Sequence, residues 1–216
     1  SDLQGPQALS IFSGIFPEDL SRLNQLASFN FMFKNSWMLA KTGYTGEEGL
    51  EIILPHQEAE FLWEKLVQAG VQPCGLGSRD TLRLEAGMNL YGLDMDERVS
   101  PLECGLAWTV DLKNPARNFI GRESLKNIKN HWVQVGLILE DKGVMRSHQN
   151  IYLNHTALIS DQKILGEITS GSFSPSLNIS IALARVSPEI KNQGYCFVDI
   201  RNKLLKAKIV KPPFVS

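Results

Sequence analysis

Residues 36–54 read SWMLAKTGYTGEEGLEIIL. Ser36 to Thr42 has the composition of a strand, and Leu50 to Leu54 places Leu50, Ile52 and Leu54 on one face of a second. Between them Gly43, Gly46 and Gly49 fall within seven residues, too many for an extended run to continue. The stretch is therefore a hairpin with a long glycine-rich loop.

Two helices are expected upstream of the hairpin. One follows Gly5-Pro6 with Leu9, Ile11 and Phe12 apolar; the other opens at Pro17 and repeats leucine at 20, 23 and 26. Downstream, Gln57 to Ala69 has helical periodicity with Phe61, Leu62, Leu66 and Val67 expected inward and Gly70 as the stop. Ser78 is placed to cap a short helix running to Ala86, ended by Gly87. Residues 88–118 carry no clear period, and 121–130 read as a short helix. From His131 the character changes to short strands: 133–140, 151–159, 166–170, 180–186, 195–201 and 204–211, separated by turn residues. That spacing predicts a small antiparallel barrel or sandwich. The expected class is α+β in two domains, 1–130 and 131–216.

Bulk properties exclude several functions. With 22 basic and 23 acidic residues the net charge is −1, so no global field draws the chain to nucleic acid or an anionic membrane. No apolar run approaches the ~20 residues that span a bilayer. The three cysteines (Cys74, Cys104, Cys196) and four histidines lack zinc-ligand spacing, and the acids of Asp94, Asp96 and Glu97 do not complete a calcium loop, so no metal is expected.

Three residues, Tyr44, Glu51 and Arg79, mark one candidate ligand cleft. Glu51 lies on the strand face opposite Leu50 and Ile52, shared with Ile53; it is either a solvated surface carboxylate or one that faces a cleft and offers two oxygens to a pair of N–H donors. Arg79 follows the expected cap, where a cation opposes the helix dipole; it is either a surface arginine paired with a carboxylate or a ligand-binding group. Tyr44 in the glycine loop either stacks on a ligand or staples the turn. Arg83, one turn beyond Arg79, reads as an internal salt-bridge partner of Asp80 or Glu85.

Longer phrases carry a resemblance. Thr42 to Glu51 is similar to the R/T-G-Y-T-G-E-x-G-x-E signature of the glycine-cleavage T-protein (aminomethyltransferase) family, and Cys74 to Gly92, CGLGSRDTLRLEAGMNLYG, resembles its C-G-L-G-A-R-D-x-L-R-L-E-A-G-x-x-L-Y-G segment. Asp94 to Glu97, Ser100 to Glu103, Asn118 to Glu123, Thr169 to Pro175, Ile181 to Val186 and Lys211 to Val215 continue it nearly end to end. The resemblance implies a folate-binding region followed by a C-terminal β-barrel. It assigns Glu51 to the pterin ring, Arg79 to ligand binding and Tyr44 to the folate-site loop. It implies tetrahydrofolate as acceptor of a methylene carried as an aminomethyl group on the lipoyl arm of a partner H-protein, with release of ammonia. The setting implied is the bacterial cytoplasm, or the mitochondrial matrix in a eukaryote. The family's catalytic aspartate lies upstream of the segment matching Gln4-Gly5-Pro6, so no catalytic residue is expected in this chain and little or no turnover from it alone. Alternatives are a folate-dependent demethylase of the same superfamily and a non-catalytic folate- or partner-binding fragment. An iron–sulfur assembly relative is disfavoured, since residues 118–123 lack its cysteine-containing K-G-C-Y-x-G-Q segment.

Overall fold

In the computed structural model, which describes residues 2–155 and 162–215, the chain divides into two compact units, Ser1–Arg83 and Leu84–Ser216. In the first, the expected hairpin forms from β3 (Trp37–Ala40) and β4 (Gly49–Ile53), antiparallel with Ala40 opposite Glu51. The sequence reading missed two further strands. The first, β1 (Asp2–Gln4), adds to the far side of β4, and β2 (Phe31–Lys34) pairs with β3 across the two-residue turn Asn35-Ser36. Asn35 takes the left-handed φ of 51° that such a turn requires. The sheet order is β1-β4-β3-β2.

The pleat sorts the side chains. Leu3, Leu39, Leu50 and Ile52 point into a core shared with Phe12 of α1 (Ala8–Ile15), Leu23 of α2 (Leu20–Gln25) and Leu62 and Leu66 of α3 (His56–Gln68). The outer face carries Phe31, Phe33, Ile53 and Glu51, and the two phenylalanines meet edge to face at 5.6 Å. In α3 the apolar stripe is narrower than the periodicity predicts. Leu62 and Leu66 are buried, but Phe61 and Val67 are exposed, because each projects about 100° around the helix from a buried neighbour. Helix α4 spans Leu76–Glu85.

In the second unit, six antiparallel strands close into a barrel rather than a sandwich, in the order β10-β5-β8-β7-β6-β9. They are β5 (Val133–Leu139), β6 (Asn150–Tyr152), β7 (Gly166–Ser174), β8 (Ile179–Val186), β9 (Tyr195–Ile200) and β10 (Lys203–Val210). The strand expected over 151–159 ends at Tyr152, and its residues from 156 onward lie outside the described residues. Inward alternation fills the barrel with Leu137, Leu139, Ile151, Ile168, Ala182, Ala184, Val198 and Ala207. Two short helices accompany it, α5 (Arg122–Asn127) and α6 (Pro188–Lys191).

The aperiodic residues after Glu85 are held by side chains instead of a backbone ladder. Asp94 is fully buried and accepts from the hydroxyls of Thr169 and Ser170 (2.7 Å for Ser170) and from the Leu90 N–H at 2.8 Å. Successive strand residues normally face opposite ways, but β7 has a bulge between Ile168 and Ser170 that lets both hydroxyls reach one carboxyl group. Buried Glu85 accepts from the hydroxyls of Ser174 and Ser176, and buried Glu103 from the backbone N–H groups of His131 and Trp132. Asp94→Ala removes the buried acceptor of three hydrogen bonds and is expected to cost roughly 2–4 kcal/mol. Urea unfolding followed by circular dichroism checks this; an unchanged midpoint would show that the anchor carries no stability.

Candidate functional site

The glycine loop is shaped by one side chain. Gln4, on the edge strand, donates from Nε2 to the Thr42 carbonyl at 3.3 Å and accepts at Oε1 from the Thr45 hydroxyl at 3.4 Å. A Cβ at Gly43 would come within 2.0 Å of Gln4 Oε1, and one at Gly49 within 2.4 Å of the Leu3 carbonyl and 2.5 Å of Gln4 Oε1. Both glycines are thus steric requirements of the carboxamide and strand lying against them. Gly46 turns the loop at a φ of 81°.

Arg79 lies beside this loop. Its guanidinium carbon stands 4.4 Å from the centre of the Tyr44 ring, a cation–π contact. Its place in the helix differs from the expectation. The Gly75 carbonyl accepts from the N–H groups of both Ser78 and Arg79, so the helix begins at Leu76 and Ser78 is an interior residue rather than its cap. Arg79 sits beyond the first three residues and breaks no dipole rule; the Tyr44 ring is what faces it. Arg83 is buried and paired with Asp80 at 2.7 Å, the internal salt bridge its spacing predicts.

Tyr44 and Arg79 line one cleft of about 500 Å³. Leu3, Trp63, Leu66, Val67 and Leu82 give it apolar lining, and Asp2, Gln4 and Thr45 are among its polar lining residues. Glu51 does not line it. Glu51 is half-buried one strand inward, on the outer sheet face, directly across from Asp2 on one side and Ala40 on the other. A like-charge cross-strand pair is unfavourable for a sheet. Sequence reading missed Gln4, Asp2 and Trp63; only Gly43 and Gly49 hinted that something must press against the loop.

A second cleft, about 630 Å³, opens in the barrel unit among Asp96, Arg98, Glu103, His131, Glu167 and Arg185. Its charges satisfy one another: Arg98 pairs with Asp96, Arg185 with Glu167 at 2.9 Å, and Glu103 takes backbone N–H groups. It has the character of a solvated groove, so the smaller, more apolar cleft is the candidate site. Among the described residues no helix is long and apolar enough to cross a membrane.

Comparisons with known proteins cover nearly the whole chain. Residues 2–114 match the family model for the GCVT N-terminal domain, and residues 133–216 match that for the glycine cleavage T-protein C-terminal barrel domain. Aminomethyltransferases from Nitrosomonas eutropha and Alcanivorax borkumensis are 51% and 50% identical to the chain, over 99% of it and 57% of their own length. The glycine cleavage system aminomethyltransferase T from Bartonella henselae superposes with a TM-score of 0.86 at 30% identity, covering 99% of this chain and 58% of that one. The chain belongs to the glycine cleavage T-protein family, and it spans just under three-fifths of the length of these relatives.

The cleft contains the one exposed thiol. Cys74 lines it, whereas Cys104 and Cys196 are buried, and burial pushes the Cys104 thiol up and that of Cys196 up to about 12. A disulfide reagent at pH 8 is expected to titrate one thiol per native chain and all three after unfolding in guanidinium. Loss of the native signal in Cys74→Ser assigns it; a second fast thiol would contradict the burial of the others.

Proposed function

We propose that this chain holds the pterin of tetrahydrofolate for an aminomethyltransferase of the glycine cleavage system, with Glu51, Arg79 and Tyr44 as ligand-binding residues. The observation that carries the reading is the stack of Tyr44 on Arg79. Two residues that the family phrases place in a folate site, far apart in sequence, meet in the lining of one cleft. Glu51 adds two acceptor oxygens on the outer sheet face, in register with Ala40 and, one strand further, Phe31. A pterin has an N–H-rich edge for such a carboxyl group.

In the full reaction, the aminomethyl group on the lipoyl sulfur of an H-protein gives its methylene to the two folate nitrogens. The C–N and C–S bonds break, the two folate N–H protons pass to the departing ammonia and the lipoyl sulfur, and dihydrolipoyl H-protein remains. Holding the folate nitrogens at the carbon is a large part of that task, because orientation replaces an encounter between two freely moving reactants. Glu51, Arg79 and Tyr44 are assigned to holding, not to proton transfer; no residue of this chain is assigned a catalytic role. Residues 1–130 are taken as the folate-binding part and 131–216 as the barrel domain. The transfer and the H-protein partnership are proposed for the full-length family fold in the bacterial cytoplasm, and folate binding for this chain.

Calorimetric titration of tetrahydrofolate under anaerobic conditions tests the proposal. The chain is expected to bind, and Glu51→Ala to weaken binding by about 10- to 100-fold, the loss of one charge-assisted hydrogen bond or more. Arg79→Ala should weaken it as well. Equal binding by the chain and by Glu51→Ala, or no binding by a folded chain, would refute the reading.

A further inference from the structure

We infer that Gln4 is the positioning residue of this site: its carboxamide clamps the glycine loop on both sides of Tyr44 and so sets the ring against Arg79. The two partners of the carboxamide, Thr42 and Thr45, flank Tyr44 in the chain. Only the amide end of Gln4 can serve the Thr42 carbonyl, which leaves its oxygen for the Thr45 hydroxyl, so the two contacts fix its orientation. The carboxamide lies where side chains at residues 43 and 49 would otherwise be, and both positions are glycine. The backbone completes the grip, with Gly5 N–H donating to the Glu48 carbonyl at 2.9 Å and Gln4 in register with Gly49. A loop with three glycines has much conformational freedom to lose, and ordering it before a ligand arrives moves that cost from binding to folding. Gln4 lines the same cleft as Tyr44 and Arg79, on their side of the edge strand.

The inference rests on the folate reading only for its effect on affinity, and the test separates the two. Ring-labelled tyrosine is introduced into the full chain, and the Tyr44 resonance is assigned by its loss in Tyr44→Phe. Arg79→Ala gives the position of that resonance without the stack. Two variants then disturb the clamp. Gln4→Met keeps the side-chain length and removes both hydrogen bonds; Gly43→Ala leaves Gln4 in place and drives its carboxamide out with a Cβ. Both are expected to move the Tyr44 resonance toward its Arg79→Ala position while the indole resonance of Trp37, buried in the same unit, stays put. Both are also expected to weaken tetrahydrofolate about fivefold to tenfold, the equivalent of one neutral hydrogen bond. A Tyr44 resonance unmoved in Gln4→Met, with Trp37 native, would overturn the inference. If the unaltered chain takes up no tetrahydrofolate but Gln4→Met still shifts Tyr44, the folate reading fails and the clamp stands.

Discussion

The bulge in β7 is the constraint on which the barrel unit depends. Without the extra residue, Thr169 and Ser170 would point to opposite faces of the strand, and Asp94 would meet one hydroxyl instead of two. With it, a buried carboxyl group has enough donors to be tolerated in the interior, and the segment that carries it can dispense with regular structure. Glu85 and Glu103 repeat the solution with serine hydroxyls and with backbone N–H groups. The conspicuous polar phrases in this part of the sequence, acids upstream and Ser/Thr runs on β7, are two halves of one set of hydrogen bonds.

The first unit handles its polar groups differently. Its core is mostly apolar, with Asp19 and Arg83 as its buried charged groups among the described residues, and the polar residues of the candidate site lie on the glycine loop, on α4 and on the sheet. Gln4 binds the loop, the loop presents Tyr44, and Tyr44 faces Arg79, while Glu51 stands one strand inward beside Ala40. None of these residues is needed to close the core, so the positions are available for recognition. Glycine at 43 and 49 follows from the same packing: the loop can lie against β1 only where no Cβ intervenes.

Much of this was legible beforehand, and the misses have physical causes. The barrel strands are short apolar runs regularly spaced by turn residues, and the hairpin around residues 43–49 announces itself through its glycines. The strand β2 was hidden because Phe31 and Phe33 face outward, which removes the polar side of the alternation. The strand β1 was hidden because three residues at an edge are too few to show a period. Ser78 misled as a cap because capping residues also occur inside helices, and the Gly75 carbonyl began the hydrogen bonding three residues earlier. For the site, pattern alone grouped Glu51, Arg79 and Tyr44 around one cleft; Tyr44 and Arg79 line it, and Glu51 does not. The contact between Tyr44 and Arg79 depends on tertiary placement, and the offset of Glu51 depends on strand order; neither is encoded in local spacing. Gln4 drew no notice because a glutamine at an edge is ordinary until its neighbours are known.

The pairing of β1 with β4 also has a kinetic meaning. The strands β2, β3 and β4 follow one another and can zip together as two successive hairpins. The strand β1 must return across both early helices and the other three strands before Gln4 can face Gly49. Contacts so distant in sequence carry the largest closure entropy and form after local ones. The glycine loop is therefore expected to take its final shape late in folding, after the hairpins that flank it are built.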